Sequence, residues 1–342
     1  MVKVLINLIP AIALGFLLQL LLHEMGHLLG GLLTGWRLIH IQYFYLVLIT
    51  ENKKLKYKIV KPYDFQCIMY PKKEDCDALL YTLGGCLLNL ISSLISIFFI
   101  IYNMENPVLL LYIWTFFVSG IILCIANGKP SIKNICNDGA CYYLLKDVTT
   151  RQIHNKQFLV AERLHKGVTY HEIGLDLIMA PTSANNDILI YQLLLEYYYW
   201  LDMDNLGKCQ CIINKLSNQE DLPISNSLQD LIRLEILCLK ILDGLEAGVV
   251  KPLELSPQQK LTEFKQLKIN TGDAHIERIR TIYQVYECLQ LGLHSTAYEI
   301  LVESKRRMKS LPCLYPGEAN FCVRQLDKVT TMLFNDIMCK FM

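Results

Sequence analysis

His23-Glu24-Met25-Gly26-His27 sets two imidazoles four residues apart, with a carboxylate directly after the first. On a helix, positions i and i+4 share a face one turn apart. Both rings can then reach one metal ion while the glutamate meets the water on that metal. Zinc suits such a site, because it takes histidine and carboxylate ligands and keeps one position open in catalytic centres. The surroundings are unusual for a metallopeptidase motif. Val4 to Leu22 contains no charged residue, so three ionisable side chains end a membrane-grade apolar run. Ionisable groups are costly in hydrocarbon, which makes a functional site the default reading. A purely structural histidine pair is the competing one.

Three apolar segments must position this motif: Val4 to Thr34, Ala78 to Tyr102 and Pro107 to Ala126. Each covers the roughly 20 residues that a bilayer core demands. The first is too long for a straight perpendicular span, which predicts tilt, a bend near Pro10 or a break near Gly30-Gly31. A cleavable signal peptide fits less well, since the apolar stretch exceeds the usual core and shows no clear cleavage site before the motif. The loop of residues 36–77 carries Arg37, Lys53, Lys54, Lys56, Lys58, Lys61, Lys72 and Lys73, whereas Asn103 to Asn106 carries no Lys or Arg. Positive charge marks the cytosolic side. That predicts an external N-terminus, a cytosolic long loop and a cytosolic chain after the third span. His23 then lies roughly 28 Å along the first helix at 1.5 Å per residue, near the inner leaflet.

A catalytic zinc needs a third protein ligand at the same depth. An up-down-up arrangement returns the end of the third span to the end of the first. There the sequence reads Asn127-Gly128-Lys129-Pro130 and then Asn137-Asp138-Gly139. Asp138 is the candidate ligand, although Asn-Asp-Gly alone reads as a turn. His40, in the long loop, is an alternative ligand or a solvated loop histidine. Glu74, Asp75 and Asp77 are weaker candidates. Asn89 lies inside the second span, where it either joins helices or bonds to substrate or a developing oxyanion. Gly84 and Gly85 permit close approach of the first helix or of an extended peptide.

With these elements in order, the chain resembles the site-2 protease family of intramembrane zinc metalloproteases. That family combines HExxH on a first core helix, Gly-Pro-x-x-Asn on a second, and Asn-x-x-Pro with a later Asp-Gly near the end of a third. This chain supplies His23 to His27, Gly85-Cys86-Leu87-Leu88-Asn89, and Asn127 to Pro130 followed by Asp138-Gly139. The likeness covers roughly residues 1–145. Cys86 stands where the family has proline, the step from Asn127 to Asp138 is longer than in many members, and no PDZ-like insertion is present. The resemblance implies zinc held by His23, His27 and Asp138, with Glu24 as general base and Asn89 as a candidate oxyanion or substrate contact. It implies transmembrane or hydrophobic peptide substrates, which must unwind locally before cleavage.

Between the first two spans, Leu38 to Thr50 is rich in Ile, Tyr, Phe, Leu and Val. Glu51-Asn52-Lys53-Lys54 reads as a turn, and Leu55 to Val60 alternates as a strand does. The expectation is a membrane-associated β-hairpin over 36–70, either structural or offering an edge to an unwound substrate. Helical spacing recurs at Leu193–Leu201, Leu206–Leu216, Leu228–Leu242, Ile276–Leu291 and Thr296–Met308. The predicted fold is therefore mainly α: a three-span core with a hairpin insertion over 1–149, then a cytosolic helical, tetratricopeptide-like domain over 150–342. That second domain is a candidate binder of a protein or peptide. Tyr197 to Trp200 reads as packing, with a peptide groove as the alternative; Lys305-Arg306-Arg307 reads as a solvated helix end, with membrane contact as the alternative; and His171-Glu172 lacks a second histidine at metal spacing.

Composition narrows the function classes. A net charge of +1 gives no basic footprint for nucleic acid. Thirteen cysteines, an odd number without framework spacing, suit reduced thiols better than disulfides. Cys209-x-Cys211 has no second pair at zinc-finger spacing. An intramembrane zinc endopeptidase leads. A non-catalytic membrane adaptor with a structural metal site is the alternative, and a transporter-like channel is poorly supported by three spans.

Overall fold

The computed structural model describes residues 2–51, 54–102, 104–217, 224–248, 273–310 and 314–341. The predicted turn residues Asn52 and Lys53, and Asn103 of the second connection, lie outside them. The chain divides into two compact units, Met1–Lys58 with Tyr63–Phe158, and Ile59–Pro62 with Leu159–Met342. The division falls inside a helix rather than at residue 150, because no break in helical sequence marks it.

The first unit is built on α1 (Val2–Leu33), α2 (Leu79–Tyr102) and α3 (Pro107–Gly128), each packed on the other two. All three are long and apolar enough to cross a membrane. The helix α1 runs unbroken through Pro10 and Gly30-Gly31, so the expected break is absent. Pro107 and Asn106 start α3: proline occupies the first turn, where no backbone N–H is needed, and the Asn106 side chain accepts from Leu109 N–H at 3.1 Å. Polarity in this bundle is inverted relative to a water-soluble core. Ile9, Phe98 and Ile125 are 78%, 65% and 61% exposed, while Gln19, His23, Glu24, His27, Asn89 and Ser93 are buried. That pattern fits helices whose outer surface meets hydrocarbon and whose polar groups satisfy one another inside.

Close backbone contact holds the bundle. A Cβ on Gly26 would strike the Gly84 carbonyl, and one on Gly84 would strike the Gly26 carbonyl. Two glycines facing each other let α1 and α2 cross with almost nothing between them, where larger residues would force them apart.

Between α1 and α2 the strands β1 (Trp36–Glu51) and β2 (Lys54–Pro71) pair as a two-stranded sheet, within a residue of the expected hairpin. Tyr81 Oη donates to Cys67 O at 2.7 Å and Tyr43 Oη to Leu21 O at 3.3 Å, tying both strands to the helices. Phe44 adopts φ 55°, a left-handed conformation uncommon for a bulky residue, and this irregularity adjoins Tyr43. Trp36 stacks on Tyr81 at 4.6 Å, Phe158 meets both rings edge-on, and His154 lies 4.8 Å from Phe158. The short helix α4 (Asp138–Leu144) and then α5 (Val148–His165) follow α3.

Apart from Ile59–Pro62, which belong to β2, and the connections between helices, the described residues of the second unit are helical. It comprises α6 (Tyr170–Ile173), α7 (Leu175–Ile178), α8 (Asp187–Asp202), α9 (Leu206–Ser217), α10 (Asn226–Glu246), α11 (Ala274–Gln290), α12 (His294–Ser310) and α13 (Pro316–Phe341). Each helix expected from apolar spacing lies within one of these to within a residue. Tyr197 and Tyr198 are buried, as a packing role requires, and Tyr198 stacks on His275 at 4.3 Å. Arg278, wholly buried, forks onto Glu235 at 2.5 and 2.7 Å, and Tyr198 Oη also donates to Glu235 at 2.9 Å. Cys209 is buried against Tyr197 O whereas Cys211 is exposed, and the described residues give them no metal-binding neighbours.

Candidate metal centre

His23, His27 and Asp138 converge. His23 Nε2 and His27 Nε2 are 3.2 Å apart, and Asp138 Oδ2 lies 3.1 and 3.4 Å from them. Three ligands about 2.0–2.1 Å from a tetrahedral ion stand roughly 3.3–3.4 Å from one another, so the triangle has the dimensions of a metal face. Among the described residues it is the one His/Cys/Asp/Glu group able to hold a metal ion.

The outer nitrogens of both rings are committed to acceptors. His23 Nδ1 donates to Asn89 Oδ1 at 2.7 Å and His27 Nδ1 to the Tyr81 carbonyl at 2.8 Å. A carbonyl oxygen can only accept, so each ring carries its proton on Nδ1 and presents the Nε2 lone pair inward. Two lone pairs and a carboxylate oxygen crowded within 3.4 Å repel one another unless a cation or proton lies among them. Gly85 makes room for the rings: a Cβ there would stand 2.6 Å from His23 Cε1 and 2.7 Å from His27 Nε2.

Asp138 arrives by a different route. It is the first residue of α4, whose cap Asn137 binds four backbone groups. Asn137 Oδ1 accepts from Ala140 N–H and Ser131 N–H, both at 3.0 Å, while its Nδ2 donates to Ala126 O at 3.0 Å and Lys129 O at 2.8 Å. The side chain thereby pins the start of α4 to the end of α3. Burial pushes the Asp138 carboxyl upward, but where a proton on an imidazole Nε2 takes the place of a cation, hydrogen bonds from His23 and His27 prevail and hold it well below the usual carboxylate range. Cys86, at the family's proline position, is buried with its Sγ 3.7 Å from Asp138 Oδ2.

Glu24 is buried beside the hairpin, and its charge reaches His27, Tyr43 and Cys67. Burial, and after it the Glu24 charge, pushes the Tyr43 phenol and the Cys67 thiol up.

Two expectations are corrected here. Of the two readings of Asn89, its bonds match the joining of helices, α2 to α1 behind His23, and the substrate or oxyanion contact is the reading set aside. Asn89 Oδ1 accepts from His23, and its Nδ2 donates to Gln19 O and Gln19 Oε1, both at 2.8 Å. His40 is wholly buried within β1, not solvated, and stands outside the metal-binding group. Glu74, Asp75 and Asp77 are outside it as well. Gln19 and Asn137 are supporting residues that motif reading passes over. The signal for Gln19 was present, since Gln19, His23 and His27 recur at steps of four along one helix face.

Compared with models of protein families, with curated proteins and with solved structures, the chain shows no match.

Proposed function

We propose that this chain is an intramembrane zinc endopeptidase of the site-2 protease type. The observation that carries the proposal is the triangle of His23 Nε2, His27 Nε2 and Asp138 Oδ2, with Glu24 next in sequence to His23 and both histidines on the first of three helices of membrane-spanning character. The nitrogen, nitrogen, oxygen donor set suits zinc and leaves the fourth tetrahedral position to water or substrate. Bound zinc would supply a water of lowered pKa and a Lewis acid for the peptide carbonyl. The rest of the mechanism falls to the chain. Asn89 and the Tyr81 carbonyl keep both imidazoles in the required tautomer, and Asn137 aims Asp138. Glu24 takes a proton from water and delivers it to the leaving amine.

The substrates are transmembrane or hydrophobic peptides, a reading supported by the membrane-spanning character of the helix that carries both histidines and of the two helices packed on it. Among the described residues each strand of the two-stranded sheet pairs on one side only, which supports a reading in which an unwound segment adds to the other. The lysines and Arg37 of the long loop support a reading with the hairpin and the second unit in the cytosol and the metal near the inner leaflet. The packed pairs α8–α9 and α11–α12 support a tetratricopeptide-like reading of the second unit, as a binder of a protein or peptide.

The decisive experiment expresses Glu24→Gln beside the parent, measures zinc content, and catalogues membrane peptides that accumulate uncut. The expected result is one zinc per chain in both forms and at least about a 10²-fold loss of cleavage in the variant. Unchanged cleavage by Glu24→Gln overturns the mechanism. A parent that holds zinc but processes no peptide favours the adaptor with a structural metal.

A further inference from the structure

Asp138 reaches the triangle from the first position of α4, so whatever sets the direction of α4 also sets the third ligand. The residue before the cap and the fourth residue of a helix commonly hold that direction by touching across the first turn. In α4 these two residues are Cys136 and Cys141. Their sulfurs stand 3.3 Å apart, and Cys141 Sγ also lies 3.8 Å from the Cys136 carbonyl. Both side chains are only partly buried, so a small solute can reach them. The apolar contact that would steer the helix is thus a pair of thiols bracketing a candidate metal ligand.

We propose that Cys136 and Cys141 form a redox modification site, a peroxide-oxidisable dithiol whose disulfide displaces Asp138 and loosens the metal centre. The inference rests on the metal reading of the site and not on peptidase activity. A disulfide needs its sulfurs about 2.05 Å apart, so oxidation draws this pair together by roughly 1.2 Å. Metal ligands tolerate only about ±0.2 Å around their preferred distances. A shift of that size across the first turn of α4 is therefore felt at Asp138.

The chemistry balances with hydrogen peroxide as oxidant. One thiolate attacks a peroxide oxygen, breaking the O–O bond to give a sulfenic acid and hydroxide. The second thiol attacks the sulfenic sulfur and expels water. Two thiols lose two electrons and two protons, and one peroxide becomes two waters. A dithiol reductant reverses the step by exchange.

The test uses the full-length, zinc-loaded protein in detergent, treated with hydrogen peroxide and then with dithiothreitol. Trypsin releases Asn134 to Lys146, which holds both cysteines and becomes two hydrogens lighter when they join. Competition with a chelator reads zinc affinity in each state. The expected result is the lighter peptide, about a ten-fold or greater weakening of zinc binding, and recovery on reduction. Cys136→Ser and Cys141→Ser should bind zinc and resist peroxide. A peptide that stays reduced, a disulfide that leaves affinity within two-fold, or serine variants that lose zinc to peroxide equally would each overturn the proposal. Reduced parent protein that binds no zinc overturns the metal reading itself, a different and distinguishable failure.

Discussion

At the scale of single residues, the centre depends on groups that never touch the metal position. Asn89 joins His23 to Gln19, and Ser92 Oγ adds a further contact to Gln19 Oε1 at 3.2 Å. Removing the Asn89 amide strips His23 of its acceptor and leaves the ring free to turn or change tautomer. Asn89→Ala should weaken zinc binding about 10- to 100-fold, as loss of such outer partners does, read by chelator competition. Gln19→Ala should act in the same direction and less strongly, because Asn89 keeps the Gln19 backbone carbonyl as a partner. The motif, the three spans and Asp138 were legible in the sequence because spacing and depth are one-dimensional quantities. The task of Asn89 was not. A primary amide presents an acceptor at one side and donors at the other, and only Gln19, on a different helix, decides which side faces His23.

Among the elements, the α1–α2 crossing has the narrowest tolerance. Gly84→Leu must push the backbones apart at Gly26, one residue from His27. The expected outcome is loss of zinc together with a melting temperature in detergent several degrees below that of the parent. The α5 helix has a different sensitivity. Burial pushes the His154 imidazole down to about 4 in the folded chain, against an ordinary value near 6.5. The folded state therefore prefers neutral His154. Its contribution is complete above pH 6.5 and is lost as pH falls from 6.5 through 4, a penalty on the order of 3 kcal/mol. Replacing His154 with phenylalanine, which keeps a ring beside Trp36 and Phe158, should flatten the fall in thermal stability between pH 7 and pH 4. Hairpin and helix positions were readable from periodicity to within a few residues. Burial along β1 was not, because Ile39 to Gln42 are buried in succession where alternation would expose every second residue, and His40 is carried inside with them.

For the whole molecule, orientation is the open quantity with a direct measurement. Cys211 is exposed on α9. In intact cells a membrane-impermeant maleimide should leave it unlabelled, and after permeabilisation it should react. Labelling from outside would reverse the charge-based orientation. The boundary between the units was hidden for a related reason of scale. It falls within α5, where residues 148 to 165 form one continuous helix and composition does not change. The route of Asp138 to the histidines has a consequence for biogenesis. His27 and Asp138 are 111 positions apart in the chain, and at common rates of synthesis that interval takes on the order of ten seconds. During it the nascent chain holds the two candidate histidine ligands but not the candidate carboxylate ligand, so on the metal reading firm capture of an ion would wait until α3 is complete and α4 has been capped. On the proposed metal reading, acquisition of the ion would report that the helical bundle is complete, and a chain arrested after two helices would lack the third ligand.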